Sequence, residues 1–223
     1  DPDGEVTIRV AVTDASGARD TLVYRLKISD ATDFVCNLLI ENTFPGNTPG
    51  SKMSAWQELQ FGTAPRDATT GDGLDGEPVG TLDEKFCEYE LPSIPPADVF
   101  DARWTIPLTN GTTRNIFPRA KNTPDFRVYK GRFQAGGEVG NTSTYYPVVI
   151  SWRKDEIPDK TDATRNPTGA QWFIRDDKSN GNVFNYNMKT GEGYPLDGDI
   201  KLIDDGSYWR VQINRSNVEG FLI

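Results

Sequence analysis

A strict alternation of apolar and mainly polar residues over positions 5–28 constrains the fold of this chain more than any other feature. The even-numbered positions of 6–12 and of 22–28 are all apolar, from Val6 to Ile28. A period of two is that of a strand with one buried face, and the Asp, Ser and Gly residues between the two runs are turn formers. A β-hairpin is predicted here. Because two strands alone are marginal in water, we expect it to be completed by the rest of the chain, by preceding sequence or by a neighbouring subunit.

From Phe34 onward, short apolar runs stand among loops rich in Gly, Pro, Asn and Asp, and no helical stripe of three turns occurs. This pattern predicts an all-β fold, an antiparallel β-sandwich (Ig-like or jelly-roll-like) with long loops. Residues 1–31 are predicted to be terminal strands of an Ig-like module or a donated hairpin, and residues 32–223 a large sandwich. The predicted strands of the larger unit are 34–40, 56–61, 99–106, 126–133, 145–152, 171–176, 183–188, 200–203 and 208–213. Asn180-Gly181 and Asp204-Asp205-Gly206-Ser207 are predicted hairpin turns.

The charge and hydropathy of the chain limit the classes of partner that are expected. A formal net charge of −9 and the lack of a basic stripe argue against nucleic acid, which requires clustered Lys and Arg. No run approaches the roughly 18 apolar residues of a membrane span, and no signal peptide opens the sequence, as expected of a mature or trimmed fragment. The excess of acidic residues is explained by solubility or by divalent-cation binding.

Cys36 and Cys87 are the only cysteines, and their even number in a chain rich in Thr, Asn, Gly and Pro is typical of an oxidising compartment. We therefore predict a disulfide between them. The alternative is two separate buried thiols. Zinc ligation is not expected, because the chain has no His and no CxxC spacing.

An acidic, glycine-rich loop at 67–77 is the best metal candidate, since a hard cation such as Ca²⁺ requires carboxylate oxygens on a backbone that wraps tightly. The loop does not have EF-hand spacing, so a solvated turn is the commoner outcome for this composition. No other cofactor is predicted. The candidate calcium ligands are Asp67, Asp72, Asp75 and Glu77.

The sequence offers no credible catalytic site. Without His, the common Ser-His and Cys-His pairs cannot form. Pairs of carboxylates are unavoidable among 33 Asp and Glu residues, so they do not indicate a glycosidase. The chain is predicted not to be an enzyme.

Aromatic residues are candidates for stacking on sugar rings. Each of the five Trp residues could stack on a sugar ring or pack in the core. Trp within a strand is more often a core residue, and core packing is predicted for Trp152 and Trp209. Tyrosines are freer to be exposed, so a ligand face is expected to use them. The candidate ligand-binding residues are Tyr145, Tyr146, Tyr186 and Tyr194.

Two resemblances to known protein families indicate where the chain is located. The segments 1–5 and 13–17 resemble the terminal strands of bacterial Ig-like or cadherin-like repeats of surface proteins. The runs WQELQFGTAP at 56–65 and ELPSIPPADVFDAR at 90–103 resemble a module of secreted surface proteins of the Bacteroidota and Ignavibacteria type, and the similarity extends through YPVVISW at 146–152. Such proteins frequently end in a type IX secretion sorting domain, which is not seen here. The resemblance implies a β-sandwich on the cell exterior and no chemical activity.

Three functional hypotheses follow. The first is an extracellular structural or adhesive surface protein, joined to copies of itself or to other subunits by strand pairing, as the hairpin at 5–28 and the apolar end 220–223 suggest. The second is a glycan-binding module, with or without calcium. The third is an accessory domain of a larger secreted enzyme.

Overall fold

β-Strands form the framework of this protein. The structure, a computed structural model, describes residues 5–13, 19–27, 34–43, 55–65, 82, 86–119, 128–137 and 145–223. Strands in these ranges form three sheets, and no α-helix occurs there, hence none of membrane-spanning length. The predicted all-β class is confirmed. The chain divides into two compact units, Asp1–Ala31 and Thr32–Ile223.

The first unit is the predicted hairpin. Strands β1 (Glu5–Thr13) and β2 (Arg19–Lys27) pair antiparallel over their whole length. The register sets position 6 opposite 26, 8 opposite 24 and 10 opposite 22, so the apolar positions of both strands share one face. The alternation in the sequence therefore predicted the pairing, and the observed register is the one that keeps the apolar positions together. The assignment to an Ig-like module stays a prediction.

The second unit begins with a six-stranded sheet in the order β12-β13-β8-β3-β4-β6, called here the β3 sheet. All its neighbours pair antiparallel except β4 and β6, which are parallel. Its strands are β3 (Phe34–Glu41), β4 (Trp56–Pro65), β6 (Arg114–Arg119), β8 (Val148–Arg153), β12 (Ile200–Asp205) and β13 (Tyr208–Ile213).

A second six-stranded sheet, called here the β14 sheet, has the order β11-β10-β9-β14-β7-β5 and is antiparallel throughout. Its strands are β5 (Asp101–Trp104), β7 (Lys130–Gln134), β9 (Phe173–Asp176), β10 (Asn185–Asn187), β11 (Gly193–Tyr194) and β14 (Gly220–Leu222). The chain passes repeatedly from one sheet to the other, so several loops connect a strand of the β3 sheet to a strand of the β14 sheet.

One hydrophobic cluster contains side chains from both sheets, which makes the unit a β-sandwich. An aromatic group lies at its centre: the Phe61 ring centroid is 5.2 Å from that of Tyr129 and 6.1 Å from that of Trp104, and Trp104 lies 5.5 Å from Phe221. These rings meet edge-on or tilted, the geometry that the aromatic quadrupole favours.

The strand predictions hold for most of the second unit, and the boundaries differ by a few residues. Strands β6, β11 and β14 were not predicted. β6 carries Pro118 and pairs only with β4 at the sheet edge, where a missing N–H is tolerated. β11 and β14 are two and three residues long, too short for a periodic pattern to be recognised.

The apolar segment 220–223 was expected to invite another chain, and that interpretation is wrong. β14 lies between β7 and β9, and its Phe221 is fully buried. Gly131 of β7 permits this packing, because a Cβ there would lie 2.3 Å from the Phe221 ring. The segment is an interior strand of the sandwich.

The predicted disulfide is also wrong, because Cys36 and Cys87 are both free thiols. Cys36 is fully buried in the inter-sheet core with Phe34 and other alternate residues of β3. Phe86, which precedes Cys87, packs instead with Val35, the residue on the opposite face of β3. Cys36 and the residue that precedes Cys87 therefore pack on opposite faces of one sheet.

This arrangement predicts unequal thiol reactivity. Burial and the neighbouring Glu156 carboxylate raise the pKa of the Cys36 thiol well above its ordinary value, whereas Cys87 is half-buried. Since the thiolate is the reactive form, native protein should react with iodoacetamide at Cys87 first, and denatured protein at both residues without added reductant. Peptide mass spectrometry reads out the modified residue. A 36–87 crosslink in non-reduced protein would contradict the structure.

Candidate ligand-binding site

A cavity of about 250 Å³ lies where the connection from β8 to β9 meets the turn from β10 to β11. The connection crosses from the β3 sheet to the β14 sheet, so both sheets support the site. The lining comprises residues 158–160 and 170–172 of the connection, with Asn187, Lys189, Thr190 and Glu192 of the turn.

The connection is held in shape by Asn166, which is 5% exposed. Its side-chain amide donates to the carbonyls of Asp159 and Ala170, at 3.1 and 2.8 Å, and its Oδ1 accepts from the Ala170 amide at 2.9 Å. One side chain therefore ties together the two stretches of the connection that line the cavity.

The turn on the other side is capped by Asn187, which is 8% exposed. Its Oδ1 accepts from the amides of Lys189 and Thr190, at 2.9 and 3.0 Å, and its carbonyl accepts from the Gly191 amide. Asn side chains favour this kind of local turn. With Oδ1 occupied, the Asn187 Nδ2 group donates no hydrogen bond within the described part of the chain.

Two tryptophans of the β3 sheet hold the same turn in place through hydrogen bonds. Trp152 donates its indole N–H to the Met188 carbonyl at 2.8 Å, and Trp209 donates to the Lys189 carbonyl at 3.3 Å. Gly191, at a φ of 76°, lies so close to Trp209 that a Cβ would be 2.4 Å from its ring. The turn is thus anchored to both sheets.

Lys189 joins the two sides of the cavity. Its ammonium donates to the carbonyls of Ile157 and Lys154, at 2.8 and 3.1 Å. Two of its three N–H groups are therefore engaged by the backbone of the connection. The lining is pre-organised by hydrogen bonds within the chain, and a ligand would meet groups already in place.

Trp172 provides the aromatic part of the lining. It is half-buried, and its ring packs on the core, edge-on to Phe34 with centroids 4.9 Å apart and tilted to Phe61 with centroids 5.8 Å apart. Its carbonyl accepts from the Met188 amide at 2.8 Å. The indole N–H is buried and has no acceptor among the described residues. The ring is therefore fixed by the core on one side and reaches the cavity on the other.

The lining carries balanced charge. Asp159 and Glu192 are acidic, and Lys160 and Lys189 are basic. Hydrogen bonds from the Thr161 amide and hydroxyl, with the nearby lysine charges, hold the pKa of Asp159 below its ordinary value. At neutral pH the four side chains sum to zero formal charge.

The four predicted tyrosines do not form one face. Tyr145 and Tyr146 precede β8 of the β3 sheet, whereas Tyr186 and Tyr194 lie in the β14 sheet. Tyr186 is 1% exposed, donates to the Pro195 carbonyl at 2.5 Å, and has its pKa raised to about 12 by burial. Its expected exposure is wrong, and it is a core residue.

The other three tyrosines differ in exposure. Tyr146 is half-buried, and burial together with the Glu219 charge raises its pKa to about 12. Tyr145 is half-buried as well. Tyr194 is exposed on edge strand β11, with its hydroxyl bonded to the Gly181 carbonyl at 2.5 Å. None of the four lines the cavity beside Trp172.

The candidate calcium ligands Asp67, Asp72, Asp75 and Glu77 lie outside the described residues. Within the described ranges, no group of three or more His, Cys, Asp or Glu side chains could hold a metal ion. The segment Asp176–Gly181, read from its sequence as a hairpin turn, connects β9 to β10 as expected.

The sequence did not predict that Trp172 and Asn187 would line one cavity together. Residue type does not distinguish Trp172 from the other tryptophans, of which Trp104 and Trp152 are fully buried, whereas Trp56 is 60% exposed. The available signal was the position of Trp172 two residues after the Gly- and Pro-containing stretch 166–170 and immediately before strand β9. Such loop-to-strand junctions are common places for binding residues.

Searches against protein-family models, curated proteins and solved structures find no match to this chain.

Proposed function

We propose that this chain is a non-catalytic, extracellular adhesive module of a secreted surface protein, and that it holds a small group of its target in the cavity beside Trp172. The observation that carries the proposal is the pre-organised lining. Asn166, Asn187 and Lys189 are fixed by hydrogen bonds that leave an aromatic ring and several polar groups facing one space. Concave sites with an aromatic wall and a few fixed polar groups are typical of ligand binding.

The resemblance to secreted surface modules supports the extracellular setting, and the contacts of the resembling run support a structural role for it. Arg103 is nearly buried and donates to Asp101 and to the carbonyls of Pro92 and Asn110, each at 2.7 Å. Gln134 donates to the Val99 carbonyl at 2.6 Å. These bonds fasten the run to β5 and β7. We propose that the sandwich is of the Ig-like or jelly-roll-like class, as its short apolar runs and turn-rich loops predict.

Adhesion can be measured with fluorescently labelled protein on intact bacterial cells, plant cell-wall particles and mucin-coated beads. We expect retention on at least one surface, and a loss of about tenfold in Trp172→Ala, with Trp56→Ala as the control that removes an exposed tryptophan outside the cavity. A chelator arm tests the calcium hypothesis for the 67–77 loop. Failure of the wild-type protein to bind any surface would contradict adhesion.

Assembly with other subunits is a second candidate function, favoured by the hairpin unit. A two-stranded sheet with its apolar positions on one face has marginal stability unless that face is covered. Subunits or copies of this chain are the proposed partners. Analytical ultracentrifugation should show association that Ile8→Lys abolishes and that Thr7→Lys, at an opposite-face position, leaves intact. A monomer at all concentrations would contradict assembly.

A further inference from the structure

We infer that the cavity beside Trp172 binds a neutral saccharide, with one sugar ring seated in it. This inference rests on the proposed adhesive function and specifies its ligand. Three properties of the site point to this class: its volume, its charge balance and the arrangement of its hydrogen-bonding groups.

The volume selects a small ligand. At about 250 Å³ the cavity lies below the range of roughly 300–1,000 Å³ that holds drug-sized ligands. A single sugar ring is of suitable size, and the remainder of a glycan would extend outward from the open side. An adhesive module requires this geometry, because its target is attached to a surface.

The charge balance disfavours ionic ligands. The carboxylates of Asp159 and Glu192 are matched by the ammonium groups of Lys160 and Lys189. The Lys189 ammonium is already bonded to two backbone carbonyls, so the best-fixed cation is largely engaged within the protein. Because the four charges sum to zero, neither an anion nor a cation gains net attraction that would offset the cost of removing it from water, whereas a neutral ligand avoids that cost.

The hydrogen-bonding groups match hydroxyls. The Asn187 Nδ2 group is a donor, since its Oδ1 is occupied by two backbone amides. The Glu192 carboxylate is an acceptor with no bonded partner among the described residues. A hydroxyl donates and accepts at once, so adjacent hydroxyls of one ring can satisfy both groups.

Trp172 supplies the remaining contact. The C–H bonds on one face of a sugar ring carry a small positive charge, which is attracted to the negative face of an aromatic ring. Because Phe34 and Phe61 fix the Trp172 ring, its ordering costs little on binding.

The test is a glycan array of neutral, acidic and amino glycans, followed by calorimetric titration of the strongest neutral hit and of free glucose, galactose, mannose and N-acetylglucosamine. We expect neutral glycans to bind. Glu192→Gln and Asn187→Asp, which keeps the Oδ1 cap while replacing the Nδ2 donor, should each weaken binding about three- to tenfold. Trp172→Ala should weaken it at least about tenfold. Glu58→Gln and Trp56→Ala, both exposed and outside the cavity, should bind as wild type.

Trp172→Phe keeps an aromatic ring and guards against loss of folding in Trp172→Ala, so partial retention of affinity would support the site. Binding restricted to acidic or amino glycans and lost in Trp172→Ala would overturn the neutral-saccharide inference while supporting adhesion through the cavity. Glycan binding equal to wild type in all cavity variants would overturn the site.

The surface-retention assay separates this inference from the proposed function. Retention that depends on Trp172, without binding to any glycan, would overturn the saccharide as ligand and leave the adhesive function standing. If the protein neither binds a glycan nor is retained on any surface, the adhesive proposal is overturned too.

Discussion

Phe221→Ala is expected to destabilise the 32–223 unit by about 3–5 kcal/mol, the usual cost of removing a buried aromatic side chain. Phe221 is fully buried, packs against Trp104 and covers Gly131. Since its strand β14 bridges β7 and β9, the damage spreads to both neighbours. Equilibrium unfolding in urea measures the change in the free energy of unfolding. The loss is large beside a net stability of about 5–15 kcal/mol for a domain.

Leu222→Ala is the matched control, because it changes the next residue of the same strand, which is only half-buried. Its cost should be clearly smaller than that of Phe221→Ala. Equal effects of the two substitutions, or an unchanged midpoint in Phe221→Ala, would contradict the position of β14 inside the sandwich.

Asp176→Asn should destabilise the same unit by roughly 2–3 kcal/mol. The Asp176 carboxylate is fully buried at the end of β9. It accepts from the Ser179 hydroxyl and amide at 2.6 and 2.7 Å and from the amides of Val183 and Phe184 at 2.8 and 3.2 Å. An asparagine amide group would face some of these donors with donors of its own, and buried N–H groups would lose their acceptor.

The pH dependence of this contribution has a definite sign. Burial alone would raise the pKa of Asp176, but the hydrogen bonds from Ser179, Val183 and Phe184 outweigh burial and bring it below its ordinary value. The stabilisation is therefore complete above the unfolded-state pKa of about 3.9 and is lost as the pH falls through the lower pKa of the folded state. Urea unfolding at pH 7 and in the acid range should show the difference between wild type and Asp176→Asn shrinking in acid.

Asp177→Asn provides the comparison, since the one ion pair of Asp177 with a described residue is long and partly exposed, to Lys130 at 3.7 Å. Its effect should stay within about 1 kcal/mol. A difference between wild type and Asp176→Asn that grows in acid would contradict the assigned role of the carboxylate.

Local signals predicted the local structure well. The period-two pattern gave the β1–β2 hairpin, because a register shift of one residue would exchange the two faces. Turn residues were equally informative: Asn180 and Gly181 both have positive φ, and Gly206 begins the tight turn between β12 and β13.

Long-range relations were not accessible in the same way. Cys36 and Cys87 look like a pair by number and composition, but pairing depends on which face of β3 each one approaches. The segment 220–223 looks like a free apolar end, and only the sheet order shows that it is interior. Neither the face of a sheet nor the order of its strands is encoded in a short stretch of sequence.

The candidate site depends on such long-range relations. Trp172 and Asn187 come together because β9 and β10 pair, while Trp152 and Trp209 position the turn from the other sheet. Tyr186 illustrates the converse, since its inward position on β10 follows from the register with Ile174 and not from its residue type. The sequence could identify aromatic residues as candidates for ligand binding, but it could not show which of them line the cavity.

The most direct test of ligand binding at the cavity is a ¹⁵N–¹H NMR titration of the full chain with the strongest neutral glycan from the array. The predicted result is saturable movement of the Trp172 indole and Asn187 side-chain amide signals, no movement of the Trp56 and Trp104 indoles, and recovery of the glycan unchanged. Unmoved Trp172 and Asn187 signals while other residues respond, or cleavage of the glycan, would contradict a non-catalytic binding site beside Trp172.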